Sequence, residues 1–407
     1  MKVIIKIAWR NIWRNPVRSL VIIVSIVLGL WAGTFVSALY YGMGEDRVTI
    51  AIENEISHIQ IHHPEYRKEH KVKYFISYND TIQQALKTTP NIKAWSARSM
   101  ALGMITSTTN SNGIQVNGVD PANEDSTTHL GAKIIEGQYL GSGKANQIIV
   151  GQKLAEKMKL KLKSKVVLTF IDKDENMAAG AFKVAGIFKS DNSSWDDANV
   201  FVKRAELNPL MGLDSSDVHE VAVLLTTNRL VDTTEALLKK QLPQYRVESW
   251  MEIAPDINTI ISVMSSASVI FVVIILMALS FGIINIMLMA VLERTRELGM
   301  MIALGMTRFR VFVLVVTETF FLVMLGCPVG MLAGFGTIRY LYIHGFDYSA
   351  SAGQSMAKLG FKSVLHPDLP LGQYEQIIVL VIITALLSAI FPAVKAVRLN
   401  PAQTIKS

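Results

Sequence analysis

Residues 20–41 read LVIIVSIVLGLWAGTFVSALYY, an apolar run without a single charged side chain. A helix needs about 20 mostly apolar residues to cross the roughly 30 Å hydrocarbon layer, so this stretch is long enough to span a bilayer. Three further runs qualify: 257–292, also free of charge; 311–338, whose only ionisable group is Glu318; and 376–394. Between the first and second lies mixed sequence of a length that marks a folded domain rather than a connector. The expected fold class is therefore an α-helical membrane protein with four transmembrane helices plus a large α+β extracytoplasmic domain. Composition agrees, with 50% of the 407 residues hydrophobic and 18% charged, against roughly 25% charged in soluble domains. That balance excludes a disordered or collagen-like chain. The one cysteine, Cys327, excludes a disulfide framework and thiolate metal clusters of the usual spacing.

Lysine and arginine near the ends of spans set orientation. Lys2, Lys6, Arg10, Arg14 and Arg18 precede the first run with no acid among them. Arg294, Arg296, Arg308 and Arg310 face only Glu293 and Glu297 in the next short loop, and Lys395, Arg398 and Lys406 close the chain unopposed. These three segments hold +10 and the remainder −3 of the total +7, so the basic charge belongs to helix ends and not to a nucleic-acid groove. The expected order is an elbow over 1–19, spans at 20–41, 263–292, 311–338 and 376–394, a cytoplasmic loop at 293–310 and a cytoplasmic tail at 395–407. Residues 42–262 and 339–375 then lie outside. Val36-Ser37-Ala38 would pass as a signal-peptidase site, but the apolar run exceeds the roughly 7–15 residues of a signal core, so an uncleaved span is expected. The N-terminal cations recur every four positions beside Ile5, Trp9, Ile12 and Trp13. This pattern reads as an amphipathic helix in the headgroup layer, with Trp9, Arg10, Trp13, Arg14 and Arg18 at the interface. Pro16 then bends the chain into the first span.

Within 42–262 the alternating H-I-Q-I-H-H of residues 58–63 reads as a polar, solvent-facing strand edge. Residues 100–119 read as two strands joined by a Ser111-Asn112-Gly113 turn, and 165–172 with 181–189 as another pair. Helical spacing marks 80–88, 151–160 and 229–242, with Asn79 and Asn228 placed to cap the first and third. A weak echo links Ala85-Leu86-Lys87…Pro90…Trp95 to Leu237-Leu238-Lys239…Pro243…Trp250. Two such helix-Pro-strand units would build one subdomain and leave about 101–217 as an inserted second.

Catalytic motifs are missing. The glycine-rich stretch from Gly137 to Ala145 has Gln138 where a phosphate loop needs its first glycine and Ala145 where it needs a hydroxyl. His58, His62, His63 and His70 form the densest set of candidate metal ligands, but their spacing does not suit adjacent zinc ligands and no H-E-x-x-H helix is present. Neither a Gly-x-Ser-x-Gly elbow nor a cysteine nucleophile occurs. The chain is thus read as a non-enzyme that binds no cofactor or metal itself. Glu318 lies about 12 Å along its helix from Arg310 and reads as an intramembrane acid hydrogen-bonded to neighbouring helices. Gly326, Gly330, Gly334 and Gly336 allow close helix approach, and Pro328 a kink.

The loop Glu293-Arg294-Thr295-Arg296-Glu297-Leu298-Gly299, followed by Ile302-Ala303-Leu304-Gly305-Met306-Thr307-Arg308, resembles the E-R-T-R-E-(I/L)-G…A-L-G segment of FtsX-like permeases, the membrane subunits of MacB-type ABC transporters. The opening Ala8-Trp9-Arg10-Asn11-Ile12-Trp13-Arg14-Asn15-Pro16 is similar to their N-terminal elbow. Val116-Asn117-Gly118-Val119-Asp120-Pro121, Glu136-Gly137-Gln138-Tyr139-Leu140 and Ile148 to Ala155 are similar to their periplasmic core domain, and Phe391-Pro392-Ala393 to Leu399-Asn400-Pro401 to their ending. Met301 and Met306 depart from the family's usual Lys or Arg and Ala. The resemblance implies a permease subunit in a bacterial inner membrane, both termini cytoplasmic, coupled to a separate ABC ATPase that holds ATP and magnesium. Glu293, Arg294, Thr295, Arg296, Glu297, Leu298, Gly299 and Gly305 would form the coupling segment, with Leu298, Ile302 and Leu304 docking and Arg294, Arg296 and Glu297 pairing with partner charges. A second permease copy or paralogue, membrane lipid, a lipoprotein substrate and a periplasmic carrier are the expected partners, as in lipoprotein-releasing permeases of the LolC/LolE kind. A MacB-like efflux permease and a membrane-tethered sensor without transport are the alternatives.

Overall fold

A computed structural model describes residues 2–108, 110–141, 145–362 and 364–398. The ending from Leu399 to Pro401, Lys406, and Ser142, Gly143 and Lys144 of the glycine-rich stretch lie outside the described residues. Two units form: Met1–Gly44 with Ile261–Asp347 and Val364–Ser407, and Glu45–Ile260 with Tyr348–Ser363.

The first unit is helical. Its elements are α1 (Lys2–Arg14), α2 (Pro16–Ile50), α3 (Pro255–Glu293), α4 (Thr295–Ala303), α5 (Arg308–His344) and α6 (Leu371–Val397), where α2 and α3 run on into the second unit. Among the described residues, four helices are long and apolar enough to cross a membrane: those of α2, α3, α5 and α6. Each outruns its apolar stretch. α2 passes Tyr41 and ends in a π-helical segment, Ala51–Ile56, and α3 starts at Pro255, whose missing N–H suits a first helical turn.

Ile4, Ala8 and Ile12 recur every four residues and are buried, so α1 docks along one face onto the bundle core and presents Lys2, Lys6, Arg10 and Arg14 to its surroundings. The Trp9 ring meets Phe321 of α5 edge-on at 5.4 Å. Asn15 interrupts the helix before Pro16, and Ser19 Oγ donates to the Ile12 carbonyl at 2.7 Å across the bend. α2 and α5 approach through glycines. A Cβ on Gly330 would sit 3.1 Å from Val27 and Leu30, one on Gly326 would press on Ile26, and one on Gly334 on Thr34. Gly336, which the small-residue spacing also includes, faces open space. α5 continues through Pro328 as one helix.

The second unit holds a ten-stranded mixed sheet. Its strands are β1 (Ile59–His62), β2 (Ile92–Thr106), β3 (Ser111–Val119), β4 (Ile134–Gly137), β5 (Gln147–Gly151), β6 (Lys165–Ile171), β7 (Met177–Phe188), β8 (Asn199–Lys203), β9 (Glu220–Leu225) and β10 (Arg246–Ser249). The order is β10-β1-β9-β2-β3-β8-β5-β7-β4, with β6 pairing β2 and β7. The first half of β2 pairs with β9 and its second half with β3, so one strand runs through both halves of the domain.

Four local readings need correction. Ser111, Asn112 and Gly113 belong to β3 and form no turn; ahead of them Ser107 N–H donates to the Asn110 carbonyl. β1 is an interior strand buried along its whole length, because β9 and β10 cover both its edges. Asn228 caps no α-helix. It opens a short 3₁₀ turn, and its carboxamide oxygen accepts from Trp250 Nε1 at 2.8 Å, whereas Asn79 does cap Asp80–Thr88 by accepting from Ile82 N–H at 3.2 Å. The segment between the third and fourth spans is more than a loop. It carries a helix, Ser349–Lys358, whose last carbonyl accepts from Ser194 Oγ at 2.8 Å, and Lys362 pairs with Asp46 at 3.4 Å.

Candidate functional site

The basic end of the helical unit gathers α1, the start of α2, α4 and the start of α5. α4 begins where α3 ends, with Arg294 in a non-helical conformation between them. It stops at Gly305, whose φ of +96° lets Met306 N–H reach back to the Met301 carbonyl at 3.0 Å in a Schellman-type close. Thr295 Oγ1 bonds back to the Leu292 carbonyl at 2.6 Å and steadies the α3–α4 corner. Leu298 and Gly299 are buried, which seats α4 on the bundle.

Side chains far apart in sequence meet there. Glu318 of α5 is buried and accepts from Arg294 Nη1 at 3.2 Å and from the Asn11 carboxamide. Arg294 Nη2 also donates to the Asn11 carbonyl at 3.2 Å. Arg14 pairs with Glu297, and Arg18 Nη1 lies 3.6 Å from Glu293 Oε2. The structure thus joins Arg294, Glu318 and Asn11 in one network at the α3–α4 corner that ties it to α1 and α5, with Arg14–Glu297 and the looser Arg18–Glu293 as separate pairs beside it. A carboxylate in an apolar helix is costly unless paired and hydrogen-bonded, and Arg294 and Asn11 supply both.

One expected role moves. Arg294 is 7% exposed and spent on Glu318, so it does not face outward to meet a partner's charges, while Glu297 pairs with Arg14 and keeps its side chain 42% exposed. Leu298 is buried as well. The exposed set on α4 and its end is Arg296, Met300, Ala303 and Leu304, at helical spacing; Arg308 and Phe309 at the start of α5 are exposed as well. Leu304 is 88% and Phe309 73% exposed. Trp9, Arg10 and Trp13 lie on the exposed part of α1. Asn11 was not singled out by sequence reading; its signals were its place in the elbow motif and a polar side chain set between Ala8 and Ile12 on the packed side of α1.

In the extracytoplasmic domain the histidines serve the fold. His58 Nδ1 accepts from Leu225 N–H at 3.1 Å, and His219 Nδ1 from Met100 N–H at 2.9 Å, while His219 Nε2 lies 2.9 Å from the Val72 carbonyl. Burial pushes the imidazoles of His58, His62 and His219 down to about 4, with the Lys93 charge adding to the effect at His58. Among the described residues no group of three or more His, Cys, Asp or Glu could hold a metal ion. Arg98 is buried between Glu124 and Glu220 at 2.8 Å each. Burial raises the Glu220 carboxyl despite Arg98, whereas Arg98 outweighs burial at Glu124, which accepts from Nε and Nη2 along one edge of the guanidinium and stays lowered.

Residues 19–241 match the MacB-like periplasmic core domain family and residues 269–401 the FtsX-like permease C-terminal family. The chain belongs to the ABC transporter permeases of this MacB/FtsX type. Its relatives carry the same description: it is 24% identical over 371 residues to the uncharacterized ABC transporter permease YvrN of Bacillus subtilis strain 168, covering 83% of this chain and 88% of that one. The ABC transporter permease YtrF of the same organism is 25% identical over 164 residues, 39% of this chain and 37% of that one. Among solved structures, the extracellular domain of the transporter YknZ from Gram-positive bacteria aligns at 18% identity over 47% of this chain and 99% of that one, TM-score 0.33. The periplasmic region of MacB from Actinobacillus actinomycetemcomitans aligns at 13% over 49% and 92%, also at 0.33. As an ABC transporter permease the chain works with a partner ATPase.

Proposed function

We propose that this chain transmits force from a separate cytoplasmic ATPase to its extracytoplasmic domain, in a bacterial inner membrane with both termini cytoplasmic. The observation that carries the reading is the exposed stripe of Arg296 and Met300 on α4 and Leu304 at its end, on a helix whose start is locked to α1 and α5 through Arg294. An ATPase gripping that stripe moves α4. Through the Arg294–Glu318–Asn11 network, α1 and α5 follow, because breaking a buried hydrogen-bonded charge pair is costly. The permease acts with a second copy or paralogue, which gives a two-fold ATPase two levers. ATP and magnesium bind the partner chain.

The cargo we propose is lipid-anchored protein passed to a periplasmic carrier, a reading supported by the resemblance of the motifs; the relatives' names specify no cargo. Leu304→Glu and Met300→Glu test the coupling. Both positions are exposed, so the fold is kept, and ATPase association and permease-stimulated hydrolysis drop at least tenfold. Unchanged association overturns the docking assignment. Release of a lipoprotein from membranes with ATP and carrier tests the cargo separately; efflux of a peptide or drug without lipoprotein release replaces that cargo and leaves the coupling standing.

A further inference from the structure

We propose that the groove between α2 and α3, at their basic ends, binds a zwitterionic phospholipid headgroup with a primary ammonium. The groove measures about 470 Å³ and has one polar and one apolar end. Asn15, Arg18 and Glu293 make the polar end. Arg18 Nη1 stands 3.6 Å from Glu293 Oε2, beyond hydrogen-bond reach, and has no hydrogen-bond partner among the described residues. The Glu293 side chain is half exposed. A cation and an anion held side by side without closing on each other match a headgroup carrying both signs: phosphate toward Arg18 and the Asn15 carboxamide, ammonium toward Glu293.

The apolar end suits an acyl chain. Val17, Val21 and Met289 are 75%, 46% and 63% exposed, and the apolar stripe continues through Leu28 on α2 and Phe281 on α3. Trp13, 63% exposed one turn before Pro16, marks the interface level where headgroups lie. Charge complementarity selects the occupant. A lipid with net negative charge brings a second anion against Glu293, and a choline headgroup has no N–H to donate to it.

The full-length permease, purified and reconstituted, is titrated with phosphatidylethanolamine, phosphatidylcholine or phosphatidylglycerol, and bound lipid is counted by native mass spectrometry. Phosphatidylethanolamine is expected to be retained at roughly tenfold lower concentration than the other two. Arg18→Gln weakens every phospholipid, whereas Glu293→Gln removes only the preference for ethanolamine over choline; a thermal melt of each variant checks that it is folded. Equal retention of the three lipids overturns the proposal, as does a preference that survives Glu293→Gln in a folded variant. Spontaneous disulfides between Val17→Cys copies also overturn it, since they assign the groove to a second copy of this chain.

Discussion

Glu318 is an acid in an apolar helix whose partners come from 24 and 307 positions away. Its sequence context declares an expensive group and a need for company, and the arginines of the 293–310 loop are the nearest cations. That Arg294 turns inward while Arg296 stays outside was not legible, since both sit in the same motif and only the α3–α4 corner separates their directions. Arg294→Ala leaves Glu318 uncompensated and is expected to cost about 3 kcal/mol in denaturant unfolding of the detergent-solubilised protein, whereas Arg294→Met with Glu318→Met recovers most of that. Equal losses in the single and double variants would deny the pairing. The buried histidines set the acid response of the domain. Their folded values near 4 lie below the ordinary 6.5, so the stability they contribute is full above 6.5 and is lost as pH falls through 4. Asp196, which burial raises to about 6, works the other way and gains stability as pH falls below that value. Glu220, also raised, sides with Asp196, and Glu124, lowered, with the histidines, so the three histidines decide the sign and net destabilisation is expected between pH 6.5 and 4, read as a falling denaturant midpoint; a flat profile would contradict it.

At the scale of elements, packing decides what periodicity alone left open. α1 carries enough cations and tryptophans to read as a membrane-surface helix, yet its Ile4, Ala8 and Ile12 face is buried on the bundle. The four-residue spacing of these side chains was visible; whether bilayer or protein would cover them was not. The glycines of α5 divide the same way. Gly330→Val drives a side chain against Val27 and Leu30 and is expected to destabilise by about 2 kcal/mol, while Gly336→Val, with open space around it, is expected to change unfolding by less than about 0.5 kcal/mol. Equal effects would remove α2 from the α5 contact. β1 was misjudged because alternation shows only that neighbouring side chains differ. Gln60 and His62 are buried polar residues that bond to each other at 2.9 Å, so a polar pattern here marks a satisfied interior strand.

For the whole molecule, the four spans, the inserted domain and its mixed α/β character were readable from run lengths, charge bias and turn residues, and the family from ordered motifs. The long β2 shared by both halves of the domain was not, because strand length across a subdomain boundary leaves no periodic signal. The helix after α5 was likewise hidden in sequence of ordinary composition. The account as a whole rests on the side of the membrane that α4 occupies. Cys327 is buried, so a single introduced thiol can be read over a low background. Leu304→Cys, at an exposed position, is treated with a membrane-impermeant maleimide in intact cells and in inverted membrane vesicles. Labelling in the vesicles and protection in the cells is the expected result; labelling in intact cells puts the stripe beyond the reach of any cytoplasmic ATPase and contradicts the account.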